Sequence, residues 1–179
     1  MVLARKTTLA AVCAVALALL AGCGKGTNGA PNTEGLTLKL SGLEYTVYIT
    51  RELNLKTPPD QDYYKGPEAP PGQTFYGVFI QVCNTKGSPK RSAGTFKVTD
   101  NQGNEFQPTP AGANNPFAYA PRTLAKNECI PQAGSPAQLG PAQASMILFK
   151  LPLSNTENRP LVFEIQSPTG QSQSLDLDL

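Results

Sequence analysis

The sequence predicts an all-β chain folded as an antiparallel β-sandwich of about seven or eight strands. Three observations lead there. Apolar and polar residues alternate with a period of two over several short segments, as in strands with one buried face. Proline occurs 17 times, spaced so that few windows could hold a helix of three turns. Clusters of Gly, Asn and Asp separate the alternating segments and supply the turns an antiparallel sandwich needs.

The elements follow in order. Leu36, Leu38 and Leu40 alternate with Thr37 and Lys39. Leu43, Tyr45, Val47 and Ile49 alternate with Glu44, Thr46, Tyr48 and Thr50, which predicts a second strand with those four residues on one face. Residues 75–84 (FYGVFIQVCN) read as the clearest strand, β-branched and aromatic on both faces. If Val78, Ile80 and Val82 point inward, then Phe79, Gln81 and Cys83 point outward, and Phe79 requires a cover. Phe96 and Val98 alternate with Lys97 and Thr99, and residues 100–104 (DNQGN) reverse the chain into Glu105 and Phe106. Residues 144–151, 161–165 and 175–179 complete the set.

Ahead of these strands lies a different kind of sequence. Arg5 and Lys6 precede an apolar run, residues 7–20, which ends in Leu20-Ala21-Gly22-Cys23. Basic, apolar and small residues in that order make a cleavable export signal, and the run is too short to cross a hydrocarbon core of ~30 Å as a permanent helix. The four closing residues read as a lipobox. The domain organisation expected is a signal peptide at 1–22, a lipidated Cys23 with a flexible tether over 23–35, and one sandwich domain over 36–179. The tether expectation rests on residues 24–35 (GKGTNGAPNTEG), which have too few apolar side chains to order themselves. Lipid on Cys23 would hold the protein to the outer face of the cell membrane, and more than one acyl chain makes that hold firm.

The full chain has 15 basic against 13 acidic side chains, and loss of Arg5 and Lys6 balances them. A neutral mature chain without a basic block offers no counterion release from nucleic acid, so no nucleic-acid partner is expected. The partners expected are the membrane, through lipid on Cys23, and an extracytoplasmic protein or glycan.

Cys13 leaves with the signal and Cys23 is lipidated, so Cys83 and Cys129 remain. In an exported protein such a pair is expected to be a disulfide, worth roughly 4 kcal/mol through the long loop it closes. A bridge from Cys83 should draw the Cys129 segment over the outer face, and one connection must break strict up-and-down alternation. Residues 123–126 are the candidate for that break.

Three loops exceed simple turns: residues 51–72, 108–122 and 130–141. Tyr63 and Tyr64 stand on the first, Phe117 and Tyr119 on the second, each loop stiffened by proline. Such rings can form a low-entropy contact surface for a partner. They can also fold back and seal the sandwich.

Chemistry is argued against by residue types. The chain has no histidine, hence no Ser-His or Cys-His pair, and no glycine-rich phosphate loop. Asp60, Asp62 and Glu68 share one loop, where paired acids could cut glycosides, but solvated carboxylates are expected there. Asp100 to Glu105 is too short for an EF-hand and reads as a plain turn. No enzyme, no metal and no cofactor are expected.

Residues 76–84 (YGVFIQVCN), then Phe96-Lys97-Val98-Thr99-Asp100 with Gly103-Asn104-Glu105-Phe106 and residues 146–152 (MILFKLP), carry a resemblance. The chain resembles the Ig-like extracellular domains of bacterial lipoproteins related to the mycobacterial secreted immunoprotective antigen. Residues 43–54 and 157–161 look like an uncharacterised branch of exported proteins of that type. The resemblance implies a fold and a location but no catalytic residues, and Cys129 with residues 130–141 departs from its pattern. The functional expectation is a membrane-anchored, non-catalytic binding or envelope-assembly module. Alternatives are an accessory subunit of a membrane complex and a thiol metallochaperone using Cys83, Cys129 and Met146.

Overall fold

The computed structural model describes residues 32–177. The signal segment, Cys23 and most of the expected tether lie outside the described residues. Two antiparallel sheets face each other. The first contains β1 (Thr37–Leu40), β2 (Leu43–Glu52) and β3 (Gln73–Cys83) in that order, with β8 (Cys129–Ile130) and β9 (Ser145–Pro152) sharing the far edge of β3. The second runs β11 (Ser172–Leu177), β10 (Leu161–Gln166), β5 (Thr95–Thr99), β6 (Glu105–Phe106). A small ribbon joins β4 (Lys90–Arg91) to β7 (Thr123–Leu124). Among the described residues, three one-turn helices, α1 (Asp60–Tyr63), α2 (Pro136–Leu139) and α3 (Leu153–Thr156), punctuate the loops. This is the β-sandwich the alternation predicts, with two-residue strands added at its margins.

The main core lies between the sheets. Tyr76, Val78, Ile80 and Val82 of β3 and Ile147, Phe149 and Leu151 of β9 meet Phe96, Val98, Phe163 and Ile165. Phe163 stacks on Phe96 at 5.7 Å and meets Phe149 edge-on at 6.1 Å. Period-two alternation places these residues on one face.

Two expected core leucine-type positions are not core. Leu36 precedes β1 and is exposed. A β-bulge between Val47 and Ile49 shifts the register, setting Ile49 opposite the outward Phe79. Ile49 is therefore 41% exposed while Thr50 is buried, because one extra residue moves all that follows to the other face.

The sandwich has two distinguishable ends. At one, the Ser41 hydroxyl lies 2.9 Å from that of Thr169 and donates to Gln171 Oε1 at 2.8 Å, joining two hairpin turns; Cys83, opposite Glu44, stands at this end. At the other, Asn32 and Thr33 dock on β11. Thr33 bridges Asp176, whose N–H donates to the Asn32 carbonyl at 2.8 Å. The Gly35 N–H also donates to Val47 O at 2.7 Å. Residues 32–35, expected in the tether, are thus fastened to both sheets. Their polar composition misled because backbone pairing, not apolar burial, holds them.

Candidate functional site

The disulfide is formed. Cys83 and Cys129 face each other across β3 and β8 with Cα atoms 4.1 Å apart and a sequence separation of 46. The next pair carries the ladder bond, Asn84 N–H to Glu128 O at 2.9 Å, so the cysteines occupy the close, non-hydrogen-bonded position of an antiparallel pair. The Cys129 segment extends the edge of β3 and does not lie over its outer face, contrary to expectation. Residues 84–128 leave and rejoin β3 by way of the β4–β7 ribbon and the second sheet. Strict alternation is broken not at residues 123–126, as expected, but between β8 and β9, which both run antiparallel to β3 and so run the same way.

The outer face of β3 is covered by other segments. Phe75, Phe79, Leu53, Met146 and Leu148 form a second apolar cluster with Tyr63 and Tyr64. Tyr63 lies 4.7 Å from Phe79 and 5.1 Å from Phe117, both edge-on, and Tyr64 lies 4.9 Å from Phe75. Gly77 makes room for this layer: a Cβ there would approach the Phe79 ring to 2.9 Å. Asn115 ties the two loops together, its Nδ2 donating to the Tyr63 and Ala111 carbonyls at 2.7 and 2.9 Å.

The four rings proposed as a contact surface are therefore not one surface. Tyr63 and Tyr64 are 2% and 8% exposed. Phe117 is half-buried against Tyr63. Tyr119 belongs to the main core, 5.1 Å from Phe96, with its hydroxyl donating to Ala93 O at 2.8 Å. The Ala93 N–H in turn donates to the Tyr45 hydroxyl at 2.9 Å, so two tyrosines clamp one residue. Burial pushes the Tyr45, Tyr63 and Tyr119 hydroxyls above their ordinary range. The correction has a plain cause: β3 and β9 are apolar on both faces, and an outer face carrying Phe75, Phe79 and Met146 takes the nearest rings as cover. A cleft of about 630 Å³ opens beside that cover, between Asp62, Lys65, Ala111, Asn115 and Phe117.

The loop carboxylates separate rather than pair. Asp60 is buried, 3.0 Å from Arg51, and accepts the Asn54 N–H at 2.9 Å. Asp62 lies 2.8 Å from Lys65 and Glu68 3.6 Å from Lys56. Asp60 is thus not solvated as expected. Cys83, Cys129 and Met146 are not assembled either. The two sulfurs are bonded to each other, and Met146 pairs with Phe79, four residues from Cys83 along β3 and so roughly 13 Å away.

Sequence reading missed Asn84. It is fully buried, and its Nδ2 donates to the Ser88 and Leu124 carbonyls, both at 3.0 Å. Its Oδ1 accepts the Lys86 N–H at 3.3 Å, and its carbonyl accepts the Asn127 N–H at 2.7 Å. An Asn directly after the strand-ending Cys83 was the available signal, since Asn fastens backbone at turns.

No family model matches this chain, and no curated protein matches it. Among solved structures it is similar to the candidate lipoprotein ycdA of Bacillus subtilis, with 10% identity and a TM-score of 0.50, covering 79% of this chain and 38% of that one. It is also similar to the yjhA protein of Bacillus subtilis (9% identity, TM-score 0.49, 82% of this chain and 99% of that chain). A third similar structure is an uncharacterized β-sandwich protein of Clostridium difficile 630 (11% identity, TM-score 0.47, 83% and 95%). The likeness to ycdA concerns the fold, and it agrees with the two-sheet architecture described above.

Proposed function

We propose that the protein is a membrane-anchored extracytoplasmic lipoprotein whose sandwich is a non-catalytic binding or envelope-assembly module. The observation that carries this is Leu20-Ala21-Gly22-Cys23 behind a basic and then apolar segment. Eight residues, 24–31, separate Cys23 from Asn32, the first residue fastened to β11. Fully extended they reach about 30 Å at most, so the lipid holds the domain close to the bilayer by the Asn32 end. The resemblance to extracellular lipoprotein domains supports this reading, and the shared fold of the candidate lipoprotein ycdA is in keeping with it. The non-catalytic part of the reading is supported by the loop acids, each lying against its own cation and not against another acid as a glycoside-cutting pair would.

Replacing Cys23 by Ser tests the anchor, because a hydroxyl cannot form the thioether that precedes cleavage. The variant is expected to lose labelled fatty acid and to leave the membrane fraction or stay unprocessed. A processed, unlipidated variant that still partitions with the membrane would contradict the reading.

A further inference from the structure

The mature chain balances its charges, yet the fold sorts them by end. Five cations have acidic partners: Arg51, Lys56, Lys65, Lys97 and Arg122. Lys39 stands across its hairpin from Glu44. At the Asn32 end Lys150 and Arg159 are outnumbered by Glu34, Glu52, Glu157 and Asp176. Lys86, Lys90, Arg91 and Lys126 remain, all exposed and all without an ion pair among the described residues. All four stand at the opposite end, on the two loops that flank the disulfide.

Those loops are held in place. Asn84 binds the backbone of both, and the Cys83–Cys129 bridge closes their base. Lys90 and Arg91 pair with Leu124 and Thr123 in the β4–β7 ribbon, and Lys90 lies over the neighbouring turn, its Cε 3.5 Å from where a Cβ of Gly42 would stand. Cations presented on an ordered backbone lose little loop entropy when they bind.

The partner's chemistry follows from what accompanies the charge. The large exposed apolar side chains among the described residues are Leu36, Tyr48, Ile49, Leu139 and Leu153, none of them on these loops. Protein interfaces draw their energy from buried aromatic and apolar anchors, whereas lysines serve phosphate groups as point charges. We propose that this end is a docking surface for a phosphate-bearing anionic polymer outside the membrane, gripped by Lys86, Lys90, Arg91 and Lys126. The proposal rests on the reading of the protein as an anchored envelope-binding module, which leaves this end directed away from the point where the tether joins.

The test titrates the full mature protein in detergent with poly(glycerol phosphate) over a range of salt concentrations. Wild type is expected to bind with an affinity that falls steeply as salt rises. K90Q/R91Q/K126Q is expected to bind about tenfold or more weakly, with a shallower salt dependence. K56Q/K65Q/K150Q, which removes equal charge elsewhere, should bind as wild type. Should the first triple variant melt early, K86Q/K126Q provides the same comparison. Failure of wild type to bind, equal loss in both triples, or binding as tight to polyglutamate or to anionic phospholipid vesicles overturns the proposal. The same titration on C23S separates the two ideas: that variant keeps polymer binding if the docking surface exists, whatever becomes of the anchor.

Discussion

Asp100 shows what one side chain can fasten. Its buried carboxylate accepts the backbone N–H groups of Gln102 and Asn104 and the side-chain amides of Asn104, Asn155 and Asn158, at 2.8–3.0 Å. It thereby locks the β5–β6 turn onto the loop before β10. Desolvation pushes its pKa up, but the hydrogen bonds from Asn104, Asn155 and Asn158 outweigh that and hold it well below the usual carboxylate range. A carboxyl depressed in the folded state adds stability above its unfolded value near 4 and loses it as pH falls below that. Urea midpoints are therefore expected to drop between about pH 5 and pH 2, and Asp100→Asn should start lower at neutral pH and fall less steeply. Equal slopes for variant and wild type would contradict this. The turn itself was legible in the sequence from Asn and Gly; the knot was not, because Asn155 and Asn158 lie more than fifty residues away and no local pattern points to them.

At the scale of elements, the outer face of β3 and the disulfide edge decide what the loops do. An outward Phe79 on β3 called for a cover, and the cover is Tyr63, Tyr64 and Phe117. Sequence could not choose between contact surface and cap, since that depends on which loop reaches Phe79 in space. Phe79→Ala is expected to cost about 3–5 kcal/mol, the usual range for a buried Phe, and Tyr63→Ala should lower the melting temperature clearly. A Tyr63→Ala protein that melts like wild type would show the ring to be dispensable to the core. The bridge is expected to be worth about 4 kcal/mol. Cys83→Ala and Cys129→Ala should each lose most of that in denaturant unfolding, and the double variant little more, since one bond is lost either way. Two titratable thiols in the folded, unreduced protein would refute the bridge. Pairing of the cysteines was legible from the expected export and their count, but the placement of Cys129 on the β3 edge was not, because a two-residue strand leaves no periodic signal.

For the molecule as a whole, alternation and turn chemistry specify two sheets because both are local and repeated. The exceptions are Leu36, displaced by where β1 begins, and Ile49, turned outward by a bulge that reads in sequence like uninterrupted alternation. Residues 32–35 show the same limit: composition marked them as tether, while pairing with β11 and β2 makes them the root of the domain. With that root fixed, a tether would join one end of the sandwich, while the other end carries Lys86, Lys90, Arg91 and Lys126 without ion pairs among the described residues. The intact mass of the protein purified from membranes tests the anchored reading most directly. A chain beginning at Cys23 with diacylglycerol on its sulfur is expected; a chain that begins elsewhere, or at an unmodified Cys23, would contradict the anchored reading.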